Sequence, residues 1–441
     1  MRVGIVGGGI SGLSCAYYLG RAGVESVVFD PDPGGLIGTV HVHGCTLETG
    51  PESWLASKPW AEQLTRDLGL GDQLTGSNDA RRRTYVVRDG RFEPLPEGLQ
   101  LVAPTRIVPV LKTNLFSWPT KLRMACEIFR NPRELPDRSV SSFVADHFGT
   151  EAVDYLAEPL LAGVYGGSPE SLSAPSVLPK FVEYEQRYGS VIVGALREKR
   201  KPAGEPVFKS LREGMGTLIA ALREKVSTVP ACVESLRLAD GWGLYAAGQW
   251  REFDRIVLCC GAQRAASLLA PLDPAAADLL AAIPHSSSAI CTFGYRAEDL
   301  PGPLDAFGFL VPKRERNTIM ACTWVATKWH GRVPAELAVL RCFSTDPDAS
   351  EEAMREDLRQ LMGIAAEPVF ALHNRWPGSM PQYTVGHASR VAEMEARIAA
   401  IPGLHFAGNA WHGIGIPDCV RSARRVADRI AAAGAFVGSR M

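Results

Sequence analysis

The sequence is poor in the features that mark metal, dithiol or nucleic-acid proteins. Ten cysteines are scattered through 441 residues, yet no C-x-x-C occurs and no Cys/His group has zinc spacing. A structural metal and a thioredoxin-like motif are therefore not expected. Neither sign of charge dominates: 47 Lys and Arg stand against 48 Asp and Glu, a formal net charge of −1. Nothing in that balance points to a nucleic-acid partner. No apolar run is long enough to cross a bilayer, and no repeat or low-complexity linker interrupts the chain. No leader peptide is expected, because the chain reads as core structure from residue 2, and scattered thiols fit a reducing cytoplasm. What remains, 46% hydrophobic and 22% charged residues, is the make-up of a globular enzyme of two or three domains.

Glycine is not scarce, and its placement carries the first functional signal. "RVGIV" reads as a buried parallel strand. "GGGISG" follows, with Gly7, Gly9 and Gly12 in G-x-G-x-x-G spacing. "LSCAYYLGRAG" has helical apolar spacing, and "SVVF" is a second strand ending at Asp30. This strand–turn–helix–strand order is the context a dinucleotide fingerprint needs. The first glycine turns the chain, the second admits a pyrophosphate, and the third lets helix and strand pack. Asp30, about 20 residues on, is placed for ribose hydroxyls. The motif alone does not choose between NAD and FAD. Gly34–Gly35 and the Gly50–Pro51 turn follow, and they resemble the cofactor loops of amine-oxidase-type flavoproteins. A second dense glycine run, "FAGNAWHGIGIPDC" from Phe406 to Cys419, lies near the C-terminus.

Between these ends the pattern changes twice. Residues 81–96 read as a β-hairpin around Asp89–Gly90. Residues 97–196 read as proline-bounded helices. "ACVESLRL", "WGLYAA" and "RIVLCCGA" read as strands. Residues 289–295, 307–311, 318–324 and 338–343 alternate as antiparallel strands do. Helices are expected over 351–364 and 418–434. The fold class is therefore α/β (α+β, multidomain). A Rossmann-type FAD-binding domain is drawn from 1–80, 203–285 and 395–441. A substrate domain with an antiparallel sheet takes 81–96 and 286–394. A helical domain takes 97–202. For the stretch "LQLVAPTRIVPVL" two readings stay open, a membrane-docking surface and the wall of a substrate cavity.

Several longer segments carry a resemblance: "GPESWLASKPW", "EPLLAGVYGGSPESLSAPSVLPKFVEYEQRYGSVIVGAL", "GFLVPK", "CTWVATKWHGRVP", "RWPGSMPQYTVGH" and "GNAWHGIGIPDC". From about residue 2 to 430 the chain resembles the oxygen-dependent, FAD-containing protoporphyrinogen/coproporphyrinogen oxidases of heme biosynthesis. The resemblance implies an oxidoreductase that takes hydrogens from a porphyrinogen, protoporphyrinogen IX first and coproporphyrinogen III as the alternative, and passes them to oxygen as hydrogen peroxide. It implies FAD as cofactor and a porphyrinogen and oxygen as small-molecule partners. It implies no metal, and extends the partner expectations to a membrane surface and to neighbouring heme-pathway enzymes. A flavin amine oxidase or carotenoid desaturase on the same scaffold, and a non-catalytic flavin- or porphyrin-binding protein, are the competing readings.

Carried over residue by residue, the resemblance assigns Gly7, Gly9, Gly12 and Asp30 to the pyrophosphate and ribose. It assigns Gly34, Gly35 and Gly50 to loops along the cofactor, and Val233 to the adenine. Gly408 and Asn409 match positions by the pyrophosphate and ribityl chain, and Ile414, Gly415 and Ile416 the turn facing the flavin ring. On the substrate side it assigns Gly163 to the macrocycle through its backbone, Phe307, Gly308 and Leu310 to a clamp on the pyrroles, and Met320 to the next strand. Arg83 is the candidate for a substrate carboxylate, offset by one residue from the family position before Tyr85. Leu36 and Gly38 stand where basic residues commonly follow the Gly-Gly pair, and Ala162 where some relatives carry Arg. His412 and Trp411 are expected to pack, and Asp418 to favour the dipole of the last helix.

Overall fold

The computed structural model describes residues 1–198 and 205–438, the side chains of 434–438 excepted. The chain divides into two compact units, Met1–Ser77 with Pro206–Pro284 and Ser389–Met441, and Asn78–Glu205 with His285–Ala388.

The first unit is built on a five-stranded parallel sheet. Its order is Ser227–Val229, Glu25–Phe29, Arg2–Val6, Arg255–Leu258 and Leu404–Phe406. Apolar residues fill both faces, as a parallel sheet covered on both sides requires. Val3, Ile5, Val28 and Val257 join the core under the helices Ile10–Arg21 and Ile416–Gly438. Val6, Val27, Phe29, Ile256 and Leu258 join a second core. That core also takes Trp242, Leu244 and Phe253 from an antiparallel meander, Val233–Leu238, Trp242–Ala246 and Gln249–Phe253. Of the three strands expected in this stretch, two belong to the meander and Arg255–Leu258 to the parallel sheet.

The second unit holds a seven-stranded sheet, ordered Phe370–Pro381, His285–Arg296, Leu337–Ser344, Ala321–Trp324, Gly308–Leu310, Thr84–Arg88 and Arg91–Pro94. The expected hairpin closes through Asp89 and Gly90, at φ +51° and +70°, the geometry that matches the strand twist. The sheet is antiparallel except at one join. Gly308–Leu310 pairs in parallel with Thr84–Val86, an arrangement that the long stretch of chain between the two strands allows and a tight hairpin would not. The strand Phe370–Pro381 was not legible: Pro377 breaks its pattern. It survives because it lies at the sheet edge, where a residue without an N–H is tolerated. Its register shifts where Ser286 pairs Met380 but Ser288 pairs Trp376.

One face of this sheet packs Cys291, Phe293, Phe309, Cys322, Trp324, Leu340 and Cys342 against Met354 and Leu358 of the helix Glu351–Met362. That helix is capped by Ser350 and stopped by Gly363 in the left-handed region. Cys322 and Cys342 stand directly across the strands, with sulfurs 3.8 Å apart. The helical segment forms its own core around Phe143, Phe148, Leu156 and Leu161. At its centre His147 reaches Glu127 at 2.7 Å and Glu185 at 3.1 Å. Arg133 and Arg138 bind Glu185, and Arg130, Arg133 and Arg138 bind Asp146. Three helical turns and a connecting segment are thereby tied by one ionic network.

Candidate functional site

In the first unit the N-terminal glycines each answer a different steric demand. Gly7 has φ +102°, and a Cβ there would stand 2.7 Å from the Cys260 nitrogen. A Cβ on Gly12 would fall 1.8 Å from the Gly7 carbonyl oxygen. At Gly9 a Cβ would meet nothing within 4 Å. The first and third glycines are thus required by the protein itself, and the second faces open space. Gly9 also caps the helix Ile10–Arg21 without any side-chain hydrogen bond. By contrast Ser139, Ser190, Asp273 and Ser350 cap their helices through side chains. A helix start with no side-chain oxygen of its own and space in front of it fits a phosphate group.

The neighbouring loops converge on the same place. The Gly8 N–H donates to Asp30 Oδ2 at 2.6 Å, and the Asp32 N–H to Asp30 Oδ1 at 2.8 Å. The Gly34 N–H donates to the Gly8 carbonyl at 2.9 Å, and a Cβ on Gly35 would lie 3.1 Å from the Gly9 Cα. Gly7, Gly9, Gly12, Asp30, Gly34 and Gly35 are therefore brought together. Gly50 has another reason to be glycine: a Cβ would fall 1.7 Å from the Leu36 carbonyl oxygen. Val233 is buried, and its carbonyl accepts a hydrogen bond from the Arg264 guanidinium; sequence spacing gave no sign of Arg264.

The C-terminal glycine run leaves the last parallel strand. The Ala407 N–H donates to the Leu258 carbonyl at 3.1 Å, so Gly408 and Asn409 emerge beside the strand next to Arg2–Val6. Gly408, at φ +153°, opens on a cavity of about 290 Å³ lined by Phe406, Trp411, His412 and Arg421. Ile414 and Gly415 form the turn that Ile416 closes by starting the last helix. Asp418 is buried beneath that turn, where a Cβ on Gly413 would stand 2.5 Å from its carboxyl carbon. Its oxygens accept from Lys58 Nζ at 2.5 Å and Arg421 Nη2 at 3.2 Å. Arg421 also donates to the His412 carbonyl at 3.2 Å, so Asp418 is tied to the start of the glycine turn through that cation, which the dipole reading did not anticipate. Trp411 packs edge-on against Phe406. His412 does not pack: it is exposed and pairs with Glu395 at 2.8 Å, because the turn points it outward.

In the second unit Leu310 and Met320, among the expected substrate residues, meet the helix Glu158–Tyr165 that carries Gly163. Ala162, Met320 and Ala321 form a small buried cluster with Leu310 and Phe343 against it. A Cβ on Gly163 would stand 4.0 Å from Leu310 Cδ2. Gly308, at φ +139°, is compelled by the Cys322 carbonyl, 1.9 Å from where its Cβ would be. Phe307 is buried, its N–H bonded to the Arg83 carbonyl and its carbonyl to the Trp324 N–H, each at 2.8 Å. Arg83 itself is exposed. Its guanidinium lies 3.2 Å from Asp305 Oδ2 and 3.4 Å from the Tyr85 hydroxyl, so an acid of the protein already occupies it.

A parallel sheet with a glycine turn shaped for a pyrophosphate after Arg2–Val6, and a second glycine turn leaving Leu404–Phe406 two strands along, defines a dinucleotide-binding protein. The family model of the flavin containing amine oxidoreductases matches residues 10–431. The chain is 32% identical to the coproporphyrinogen III oxidase of Bacillus subtilis (strain 168), over 95% of each protein. It is 32% identical to the coproporphyrinogen III oxidase of Propionibacterium freudenreichii subsp. freudenreichii, over 97% of this chain and 90% of that one. A crystal structure from Exiguobacterium sp. 255-15, assigned provisionally as a protoporphyrinogen oxidase, superposes with a TM-score of 0.86 at 29% identity over 98% of each chain. The chain belongs to the flavin containing amine oxidoreductases, in their porphyrinogen oxidase group, and its cofactor is FAD.

Proposed function

We propose that this protein oxidises coproporphyrinogen III to coproporphyrin III with oxygen as the acceptor. The similarity that carries this reading is the 32% identity to the Bacillus subtilis coproporphyrinogen III oxidase along 95% of both chains. It reverses the order expected from sequence, which put protoporphyrinogen IX first. The second reading rests on the protoporphyrinogen assignment of the Exiguobacterium structure.

FAD, when bound, supplies the acceptor for hydrogen leaving the macrocycle. The chain's own residues bind and orient. The open backbone at Gly9 and the uncapped helix start take the pyrophosphate. Asp30, its carboxylate fixed by two backbone N–H groups, takes ribose hydroxyls. The Gly413–Ile416 turn, tied at its start to Asp418 through Arg421, offers backbone N–H groups and the positive end of the last helix to a group that gains negative charge. Gly163, Leu310 and Met320 supply an apolar wall suited to pyrrole rings. No side chain need act as nucleophile, so catalysis here is chiefly positioning.

The test is turnover of each porphyrinogen by the purified flavoprotein, read as porphyrin fluorescence and peroxide. A higher kcat/KM for coproporphyrinogen III is expected. A preference for protoporphyrinogen IX, or no turnover of either with flavin bound, overturns the reading.

The helical segment also presents a docking surface for an anionic lipid bilayer. Phe129 is 79% exposed, Ile107 76%, Trp118 70% and Leu122 67%, against the rule that large apolar groups cluster inside. From residue 97 to 130 the exposed charges are the cations Arg106, Lys112 and Arg123 and one acid, Glu97, which pairs with Arg106. Aromatic and aliphatic groups flanked by cations match the interface of an anionic membrane. The exposure of Ile107, Val108 and Leu111 favours docking over a cavity wall for this stretch. Among the described residues no helix is long and apolar enough to cross a membrane.

A further inference from the structure

The loop between the strands Gly308–Leu310 and Ala321–Trp324 is stitched to the helical segment by consecutive residues. The Lys313 N–H donates to Glu158 Oε2 at 2.9 Å. Arg314 pairs with Asp154 at 3.6 Å. Glu315 accepts from the Tyr155 hydroxyl at 3.3 Å. Arg316 Nη2 donates to Glu158 Oε1 at 2.8 Å. The partners 154, 155 and 158 span a π-helical turn, Val153–Ala157, and the first residue of the helix Glu158–Tyr165. Such turns recur where a helix is adapted to a site.

Among these contacts the Arg316–Glu158 pair is distinct. Both side chains are about nine-tenths buried, whereas Arg314 and Asp154 are half exposed. Arg316 also donates to the Val311 carbonyl, from Nε at 3.2 Å and Nη2 at 2.9 Å. One guanidinium therefore holds the start of the helix that carries Gly163 and the residue that follows Leu310. The far end of the loop is fixed separately, by the Thr318 and Ile319 N–H groups on Asp357 Oδ2 at 2.9 and 2.7 Å. Met320 follows directly after this second anchor.

We infer that Glu158 and Arg316 are positioning residues that set the width of the macrocycle wall, the gap between the Gly163 backbone and the Leu310 side chain. The inference rests on the porphyrinogen reading above. Neither residue touches the substrate. Their pair fixes the helix against the strand, and a planar, rigid macrocycle is sensitive to that spacing, since an ångström of misplacement is costly. A lysine at 316 cannot span both acceptors, because a point charge lacks the planar fork of guanidinium.

The experiment is a double-mutant cycle with Glu158→Gln and Arg316→Met, with Glu158→Asp and Arg316→Lys as conservative variants and Arg314→Ala as a control. KM for the porphyrinogen is expected to rise about tenfold in each single variant, with kcat changed less than twofold. The double variant is expected to be no worse than either single one, because the two act as a unit. Flavin absorbance should not change, and Arg314→Ala should match the wild type. KM equal to the wild type in folded, flavin-loaded variants, or additive losses in the double variant, overturns the inference. If Gln and Met variants do not fold, Glu158→Asp and Arg316→Lys decide the same point. Failure of the wild type to oxidise any porphyrinogen overturns instead the reading beneath it.

Discussion

Lys58 Nζ lies 2.5 Å from Asp418 Oδ2 across 360 positions of sequence. The contact joins the segment after the second flavin loop to the first turn of the last helix. Lys58→Met leaves the buried Asp418 with Arg421 alone. We expect it to cost about 2 kcal/mol of stability and to weaken FAD retention about tenfold, read as the flavin-to-protein ratio after dialysis. Unchanged retention would show that the pair holds the helix but not the turn.

Gly308 tests the sheet rather than the ligand. Its φ of +139° and the Cys322 carbonyl 1.9 Å from a Cβ position leave no room for alanine. Gly308→Ala should lose about 3 kcal/mol, measured by urea melts with and without porphyrin. A loss of turnover at full stability would instead assign the glycine to substrate contact.

His405 gives a pH dependence with a definite sign. Burial, helped by Arg255 and Arg429, lowers its pKa from 6.5 to about 4. The folded protein thus binds a proton less readily than the unfolded chain. Both are neutral above pH 6.5, so the histidine costs nothing there. Below that, the penalty grows by about 1.4 kcal/mol per pH unit until the folded form titrates near pH 4. Wild-type urea midpoints should fall between pH 7.5 and 5, and those of His405→Gln should fall less. Parallel curves would refute the assignment.

The ionic network around His147 predicts a stability loss of another kind. Burial opposes ionisation of Glu127, but bonds from His147, Ser190 and the Val191 N–H hold its carboxyl below the ordinary range. Its contribution is complete above about pH 4.3 and fades as pH falls through the lower folded value. Glu127→Gln should cost about 3 kcal/mol at neutral pH, in calorimetry or denaturant melts. It should also reduce the loss of stability on acidification below that range.

The apolar surface of the helical segment makes a separate claim. The flavoprotein should sediment with phosphatidylglycerol vesicles and not with phosphatidylcholine alone, and salt should release it. Replacing Phe129 and Trp118 by serine should lower binding about tenfold or more, leaving turnover of a dispersed substrate unchanged. Equal sedimentation of the variant would remove the bilayer as the occupant.

The parallel sheet, the hairpin at Asp89–Gly90 and the first glycine loop could be read because local rules decide them. Strand, turn and helix there lie within thirty residues, and Gly12 is demanded by the Gly7 carbonyl five positions before it. Lys58 with Asp418, Arg264 with Val233 and Arg316 with Glu158 could not. Each pair is made by chain crossing between distant segments, and no periodicity records it. The strand Phe370–Pro381 was lost for a local reason, since proline at a sheet edge looks the same in sequence as proline in a loop. His412 was misjudged because its neighbours are buried while the turn rotates it outward.

The cysteines that face each other across the sheet carry a last consequence. Burial raises Cys291 to about 12 and Cys342 well above its usual value, and in the other unit it raises Cys15 and Cys260 to about 12 and Cys419 to about 11. Only the thiolate reacts readily with peroxide. An oxidase of the proposed kind bathes itself in its own by-product over every round of turnover, and these sulfurs are kept in the form that ignores it. The exposed Cys126 and Cys232 are then where ageing of the enzyme should first be written.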